Sequence, residues 1–292
     1  MKTVVRASVY GFCMGVRKAV EKSLQEAEKN KKKPDGGQQV YTMGPLIHNP
    51  DVLDMLADRG IGILDQAQLP DRLDGTTVVI RAHGVAPSLV RQLGERGARV
   101  VDATCPRVRL SQMKAASYSQ QGYTVILAGE ANHSEIIGIA GYAPGCLIVS
   151  TPQEAMDVAK RLRNASSDAK LALIGQTTLT REEYKGIALE LEAYFPVIEV
   201  FDSICKATAD RQGALVSLCG ECDAIVVVGG MNSANTKRLY SSALSLGKPA
   251  WHVEGVSDLP DELRVYGKIG LTAGASTPDW IIDEVEAHLL SM

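Results

Sequence analysis

The chain has 292 residues, 45% of them hydrophobic and 22% charged, with a formal net charge of −3 at pH 7. That length suits about two domains and the balance is that of an ordinary globular enzyme. The small negative charge gives no general attraction to nucleic acid or an anionic membrane, and no apolar run reaches the roughly 18 residues of a membrane helix.

The amino terminus, MKTVVRASVYGFCMGVRKAV, is interrupted by Arg6 and Arg17 and lacks a small-residue cleavage site. It reads as mature cytoplasmic protein rather than a signal peptide. In that reducing setting six cysteines point to metal or catalytic work rather than disulfides, with burial in a core as the plainer alternative. The charged run EKNKKKPDGGQQ reads as a helix end and exposed loop. MGPLIHNP then places His48 in a loop, and the apolar run TTVVIRA leads into the loop RAHGVAP, with His83. Residues 88–97 follow as an amphipathic helix, and RVVDATCP ends a strand at Cys105, where Pro106 suits a first helical position.

GYTVILAG is the next strand, followed by GEANHSEIIG, with His133 and, at a helix start, Glu135. By itself Glu135 is an acidic residue complementing a helix dipole. KLALIG runs into GQTTLTREE, where Thr178 or Thr180 caps the helix over 181–194 and Thr177 faces a pocket. VIEVFD ends at Cys205, and a helical pattern through ADRQGALVSL reaches CGEC, Cys219 to Cys222. In thioredoxin-like proteins that motif follows a strand and opens a helix; here it follows a helix, with Gly220 suited to a C-cap, and precedes the strand DAIVVVGG. MNSANTKRL, the strand KIGLTAG, the loop TAGASTPDW and a helix over 279–290 complete the chain. Cys146, His252 and His288 read as structural.

Strands alternating with helices argue for parallel α/β sheets, and nearly unbroken apolar strands argue for burial on both faces. Cys13, Cys105 and Cys205, 92 and 100 residues apart, each lie after a strand and before a helix. His48, His133 and Ser233 stand 35, 28 and 28 residues past those cysteines, and His83, Thr177 and Ser276 stand 70, 72 and 71 past them. This periodicity predicts three related α/β units, the alternative being one large doubly wound sheet. Ligands of parallel sheets gather beyond the carboxyl ends of strands, where these loops lie.

A cysteine at a helix start has its thiolate favoured by the dipole and the orphan N–H groups. Three thiolates at one point repel without a cation, so the natural occupant is a metal centre. Structural zinc normally takes four ligands, often in close pairs, whereas three widely separated cysteines suit an iron–sulfur cluster with one open iron. The imidazoles, hydroxyls, amide and glycine-flanked N–H groups of the loops make a phosphate cradle. Neither a Walker loop nor a dinucleotide-binding G-x-G-x-x-G is present.

GFCMGVRKAV, GPLIHNP, AHGV, DATCP, HSE, GQTTLT, ICKATADRQ, NSAN and TAGASTPD occur in that order. The set resembles the 4-hydroxy-3-methylbut-2-enyl diphosphate reductase (LytB) family from about residue 8 to 282. The resemblance implies a pseudo-threefold cloverleaf of three similar α/β domains with small parallel sheets around a central iron–sulfur cluster. It divides the chain at 15–104, 105–201 and 202–282, the last completed by an N-terminal strand in 1–14, with a helix end at 283–292. It implies one 4Fe–4S cluster on Cys13, Cys105 and Cys205 with the fourth iron open. It also makes His48, His83, His133, Thr177, Ser233, Ala234, Asn235 and Ser276 substrate-binding, and Glu135 and Thr177 catalytic. Ala234 stands where the family usually has a second serine, and Lys206 where it commonly has tyrosine. The implied activity is an iron–sulfur oxidoreductase's: reductive dehydroxylation of a diphosphate to isopentenyl and dimethylallyl diphosphate, the last step of the methylerythritol phosphate route. Ferredoxin or flavodoxin is the implied electron donor. A non-catalytic iron–sulfur sensor and a zinc hydrolase using His48, His83 and His133 are the competing readings.

Overall fold

The computed structural model describes residues 2–31, 39–47, 49–165 and 168–292. His48 and most of the charged loop expected in 28–39 lie outside the described residues. Strand β1 (Thr3–Arg6) leads into helix α1 (Met14–Lys31). Next come β2 (Val40–Met43), α2 (Pro50–Asp58), β3 (Ile61–Leu64), β4 (Thr77–Ile80), α3 (Pro87–Glu95) and β5 (Arg99–Asp102). After α4 (Pro106–Gln120) the chain forms β6 (Thr124–Ala128), α5 (Ser134–Ala140), β7 (Leu147–Val149), α6 (Pro152–Ala165), β8 (Leu171–Gly175), α7 (Arg181–Glu192) and β9 (Ile198–Phe201). After α8 (Lys206–Glu221) come β10 (Ala224–Val228), α9 (Ala234–Ser245), β11 (Ala250–Val253), β12 (Lys268–Ala273) and α10 (Asp279–Ser291).

The strands form three four-stranded parallel sheets, ordered β3–β2–β4–β5, β7–β6–β8–β9 and β11–β10–β12–β1. One doubly wound sheet is thereby excluded. Each sheet is built alike: a first strand, a neighbour on one side, a return to the other side, then an edge strand followed three to seven residues later by a cysteine. In the third sheet that edge is the chain's own start, with Thr3 opposite Lys268 and Arg6 opposite Leu271. The likeness reaches single hydrogen bonds. The N–H groups of Gly44, Gly129 and Gly229 donate to the carbonyls of Leu64, Val149 and Val253, at 2.9, 2.8 and 2.8 Å.

The apolar runs became central strands for the expected reason. Every residue of β4, β8 and β10 is buried, and each fully buried Val, Leu or Ile contributes about 1.5–3 kcal/mol. The chain divides into two compact units. One holds residues 18–46 and 59–205 with two of the sheets; the other holds 1–17, 47–58 and 206–292 with the third. In the second unit Cys219 and Cys222 pack with Leu215, Leu218, Ile225 and Val227. Burial pushes both thiols up, as in an inert core pair rather than a reactive one. Gly220 does not cap that helix: α8 runs through it to Glu221, without the positive φ of a C-cap glycine. No helix among the described residues is long and apolar enough to cross a membrane.

Candidate functional site

In parallel sheets the carboxyl ends of all strands share one edge, so the loops after neighbouring strands meet there. Within the unit of residues 18–46 and 59–205, the backbone N–H of Cys105 donates to Ala82 O at 2.9 Å and that of Cys205 to Thr177 O at 3.0 Å. Each cysteine after an edge strand is thus tied to the loop after the adjacent strand, the loops of His83 and Thr177. Cys105 is the N-cap of α4 with Pro106 in the first turn, and Cys205 directly precedes α8.

The remaining expected residues of this unit converge on one acid. Glu135 and Thr177 are both buried, at 1% and 7% exposure. Glu135 Oε1 accepts the Thr177 backbone N–H at 2.7 Å, and the Thr177 hydroxyl donates to Oε2 at 2.8 Å. Because an N–H cannot take up a proton, Oε1 is held as an acceptor. Oε2 is then the oxygen able to exchange a proton with the hydroxyl. His133 Nδ1 accepts the Glu135 N–H at 3.2 Å, which places the proton of a neutral imidazole on Nε2. The rings of His83 and His133 meet edge to face, with centroids 5.4 Å apart.

Three threonines in GQTTLT divide the work. Thr180 caps α7 in a reciprocal capping box with Glu183, Thr178 accepts from Gln176 Nε2 at 2.8 Å, and Thr177 reaches the acid. Gln176 also accepts the Glu130 N–H at 3.0 Å, so it joins the two loops that carry His133 and Thr177. Gly84 holds the turn after His83 at φ +70°, where a Cβ would lie 2.3 Å from Gln112 Nε2 and 3.1 Å from Thr104 Cγ2. Gly84→Ala is expected to destabilise the fold by about 2–4 kcal/mol, from left-handed backbone plus overpacking, read as a lowered midpoint in urea unfolding.

The unit of residues 1–17, 47–58 and 206–292 carries the other members. The Cys13 N–H donates to Ala275 O at 3.1 Å, repeating the arrangement of the other two cysteines. The Val16 N–H, in the first turn of α1, donates to Cys13 Sγ at 3.4 Å. Ser233 is the N-cap of α9 and accepts the Thr236 N–H, and Ala234 is the first helical residue. Asn235 Nδ2 and Ser276 Oγ are buried with no hydrogen-bond partner among the described residues. A buried, unanswered donor is costly unless a ligand meets it.

Sequence reasoning missed Asn49, Gln112 and Arg81. Asn49 Oδ1 accepts the Val52 N–H at 3.1 Å, and its Nδ2 is buried without a partner among the described residues. Gln112 has such an amide beneath the His83 turn. Burial lowers the Arg81 pKa, and its guanidinium lies close to Gly44, at the start of GPLIHNP. Asn49 and Arg81 stand within the GPLIHNP and RAHG motifs, which was the available signal; Gln112 had none. None of the six cysteines is in a disulfide. Among the described residues no three His, Cys, Asp or Glu side chains gather closely enough to hold a single metal ion. His252 Nε2 donates to Gly229 O at 2.7 Å, a structural bond.

The chain is 48% identical to the 4-hydroxy-3-methylbut-2-enyl diphosphate reductase of Treponema denticola, over 98% of this chain and 99% of that protein. It is 35% identical to the reductase of the same name from Aquifex aeolicus, over 99% of this chain and 96% of the other. Among solved structures it resembles the E-1-hydroxy-2-methyl-but-2-enyl-4-diphosphate reductase of Plasmodium falciparum. That match has a TM-score of 0.88 at 31% identity and covers 100% of this chain and 88% of the other. A second structure, of (E)-4-hydroxy-3-methyl-but-2-enyl diphosphate reductase, the terminal enzyme of the non-mevalonate pathway, matches at 33% identity with a TM-score of 0.69, over 100% of both chains. The family model described as LytB protein spans residues 4–290, and by that match the chain belongs to the LytB family.

Proposed function

We propose that this chain reduces 4-hydroxy-3-methylbut-2-enyl diphosphate to isopentenyl and dimethylallyl diphosphate in the cytoplasm, as the last step of the methylerythritol phosphate route. The observation that carries the reading is the buried Glu135 carboxylate bonded twice by Thr177, at 2.7 and 2.8 Å, on the loop edge beside His133. The net reaction joins the substrate R–OH with two electrons and two protons to give R–H and water.

The donor set fits a resident iron–sulfur cluster. Cys13, Cys105 and Cys205 are unbridged and partly buried, each stands at a helix start, and each has its backbone tied to a neighbouring loop. In a four-iron cluster each cysteine takes a different iron, so the sulfurs need not converge on one ion. We assign these three as ligands, with the fourth iron open. When bound, the cluster supplies electrons singly and a Lewis-acidic iron for the substrate hydroxyl.

The chain's own residues do the rest. Glu135 gives a proton from Oε2 through the Thr177 hydroxyl to the departing oxygen, while the Thr177 N–H holds Oε1 and fixes the carboxyl's orientation. The Nε2–H of His133, His83, His48 and the unanswered donors of Asn235 and Ser276 bind the diphosphate, together with Ser233 and the Ala234 N–H at the start of α9. Gripping the charged end orients the reacting end. Ferredoxin or flavodoxin supplies the electrons. The division into domains at 15–104, 105–201 and 202–282 belongs to the same proposal.

The deciding experiment is anaerobic purification, iron and sulfide analysis, and substrate-dependent oxidation of a reduced viologen dye. Iron with sulfide and dye oxidation supports the reading. Iron without dye oxidation leaves a sensor, and zinc without iron leaves a hydrolase. Thr177→Val keeps the N–H bond to Glu135 and removes the relay hydroxyl; turnover should fall by up to about 100-fold and return with Thr177→Ser.

A further inference from the structure

Helix α4 opens at Cys105 and carries apolar residues on its outer as well as its inner side. Val108, Ser111, Gln112 and Ala115 face the interior at the i, i+3, i+4, i+7 spacing. Pro106, Arg109, Leu110 and Met113 repeat that spacing on the outside, where a helix ordinarily presents only polar residues. Leu110 is 39% exposed and Met113 60%.

Beside this face a groove of about 360 Å³ runs to helix α3, lined by Pro87, Val90, Arg91, Thr104, Arg109 and Tyr142. Arg109 donates to the Tyr142 hydroxyl at 2.9 Å and lies 3.9 Å from Asp102, while Lys22 Nζ donates to Asp102 O at 2.5 Å. Arg91 and Arg107 are exposed. Arg91 and Arg109 line this groove with Asp102, Lys22 bonds the Asp102 carbonyl, and Arg107 stands one turn before Leu110 on α4, on a chain whose net charge is −3. Exposed apolar side chains matter when they are grouped and rimmed with charge rather than scattered.

We propose that the outer face of α4 and the adjoining α3 groove form the docking surface for an acidic one-electron carrier protein. This rests on the proposed reductase reading, which makes Cys105 a cluster ligand and needs two electrons delivered one at a time. Charge complementarity selects the occupant: an acidic partner is steered to a basic rim and excluded elsewhere by like charge. The apolar strip of Leu110 and Met113, on the helix that opens at Cys105, excludes water from the contact. Each docking oxidises the carrier by one electron and reduces the chain's redox centre by one, and two dockings complete a turnover.

The test uses anaerobically isolated holoenzyme and an acidic two-iron ferredoxin. Arg91→Glu/Arg107→Glu alters two exposed side chains outside the proposed catalytic groups; Met113→Glu alters the strip alone. Both should weaken ferredoxin binding in calorimetric titration at low ionic strength, the charge reversal by at least about tenfold. The KM for ferredoxin should rise in parallel while viologen-driven turnover stays unchanged. Wild-type binding should weaken as salt is added. Lys160→Glu/Arg161→Glu, exposed on α6, makes the same charge change elsewhere and should leave binding intact. Unchanged ferredoxin affinity in the first two variants overturns the proposal, as does equal weakening in the α6 control. Absence of viologen turnover in the wild type removes the reductase reading instead, and the titration still decides whether this surface binds the ferredoxin.

Discussion

Glu135→Gln should keep the fold and the cluster and lose turnover by roughly 10²–10⁴-fold, the range typical of a removed general acid. The substitution is nearly isosteric at a site with 1% exposure, so packing changes little. The Gln carbonyl can still accept the Thr177 N–H, now at 2.7 Å on Oε1. What changes is the second arm. An amide NH₂ takes the place of Oε2 and donates toward the Thr177 hydroxyl, which must turn its own proton away. No acidic proton is left to pass. The checks are iron content and visible absorption, both expected to match the parent, against viologen oxidation with substrate. A variant that turns over at near-parental rate removes Glu135 as the proton donor. A variant that loses iron shows instead that the pair acts on the scaffold.

Cys105→Ser should lose most of the cluster iron without unfolding. The bond that ties this residue to the His83 loop is made by its backbone N–H, to Ala82 O at 2.9 Å, and a serine keeps it. Pro106 in the first turn still starts α4, and serine is among the better N-cap residues. The loss is chemical: an alkanol does not ionise near neutral pH as a thiol does and is a poorer ligand for iron. Iron per chain after anaerobic reconstitution should fall severalfold while the melting temperature of the apoprotein stays within a few degrees. Cys146→Ser, packed against the core of the neighbouring β6–β8 sheet, is the control and should retain its iron. Full iron occupancy in the Cys105 variant rejects it as a ligand.

The apolar runs identified the central strands, and the cysteine spacing anticipated the threefold recurrence of one small sheet. Both are signals carried within a few residues or by simple counting. Caps were partly legible: Pro106 at the start of α4 was readable, while Gly220 misled, because its neighbours Cys219 and Cys222 are buried in the core and the helix continues across it to Glu221. Position 220 shows that a favourable local residue yields to packing when the two disagree.

The site divides along the same line. The sequence by itself determined which residue types are present for chemistry: thiols at helix starts, and imidazoles, hydroxyls and one acid in loops after strands. It set Thr177 toward a pocket but left the helix cap open between Thr178 and Thr180, and it held Asn49 and Gln112 unnoticed. Tertiary structure decided that Thr177 meets Glu135, across 42 residues, because the parallel register of β6 and β8 brings the loops after them to one edge. It also decided which amides are buried without a partner. Periodicity and capping are local energies, written in neighbouring residues. A hydrogen bond between two loops depends on where whole strands lie side by side, and that is a property of the assembled sheet.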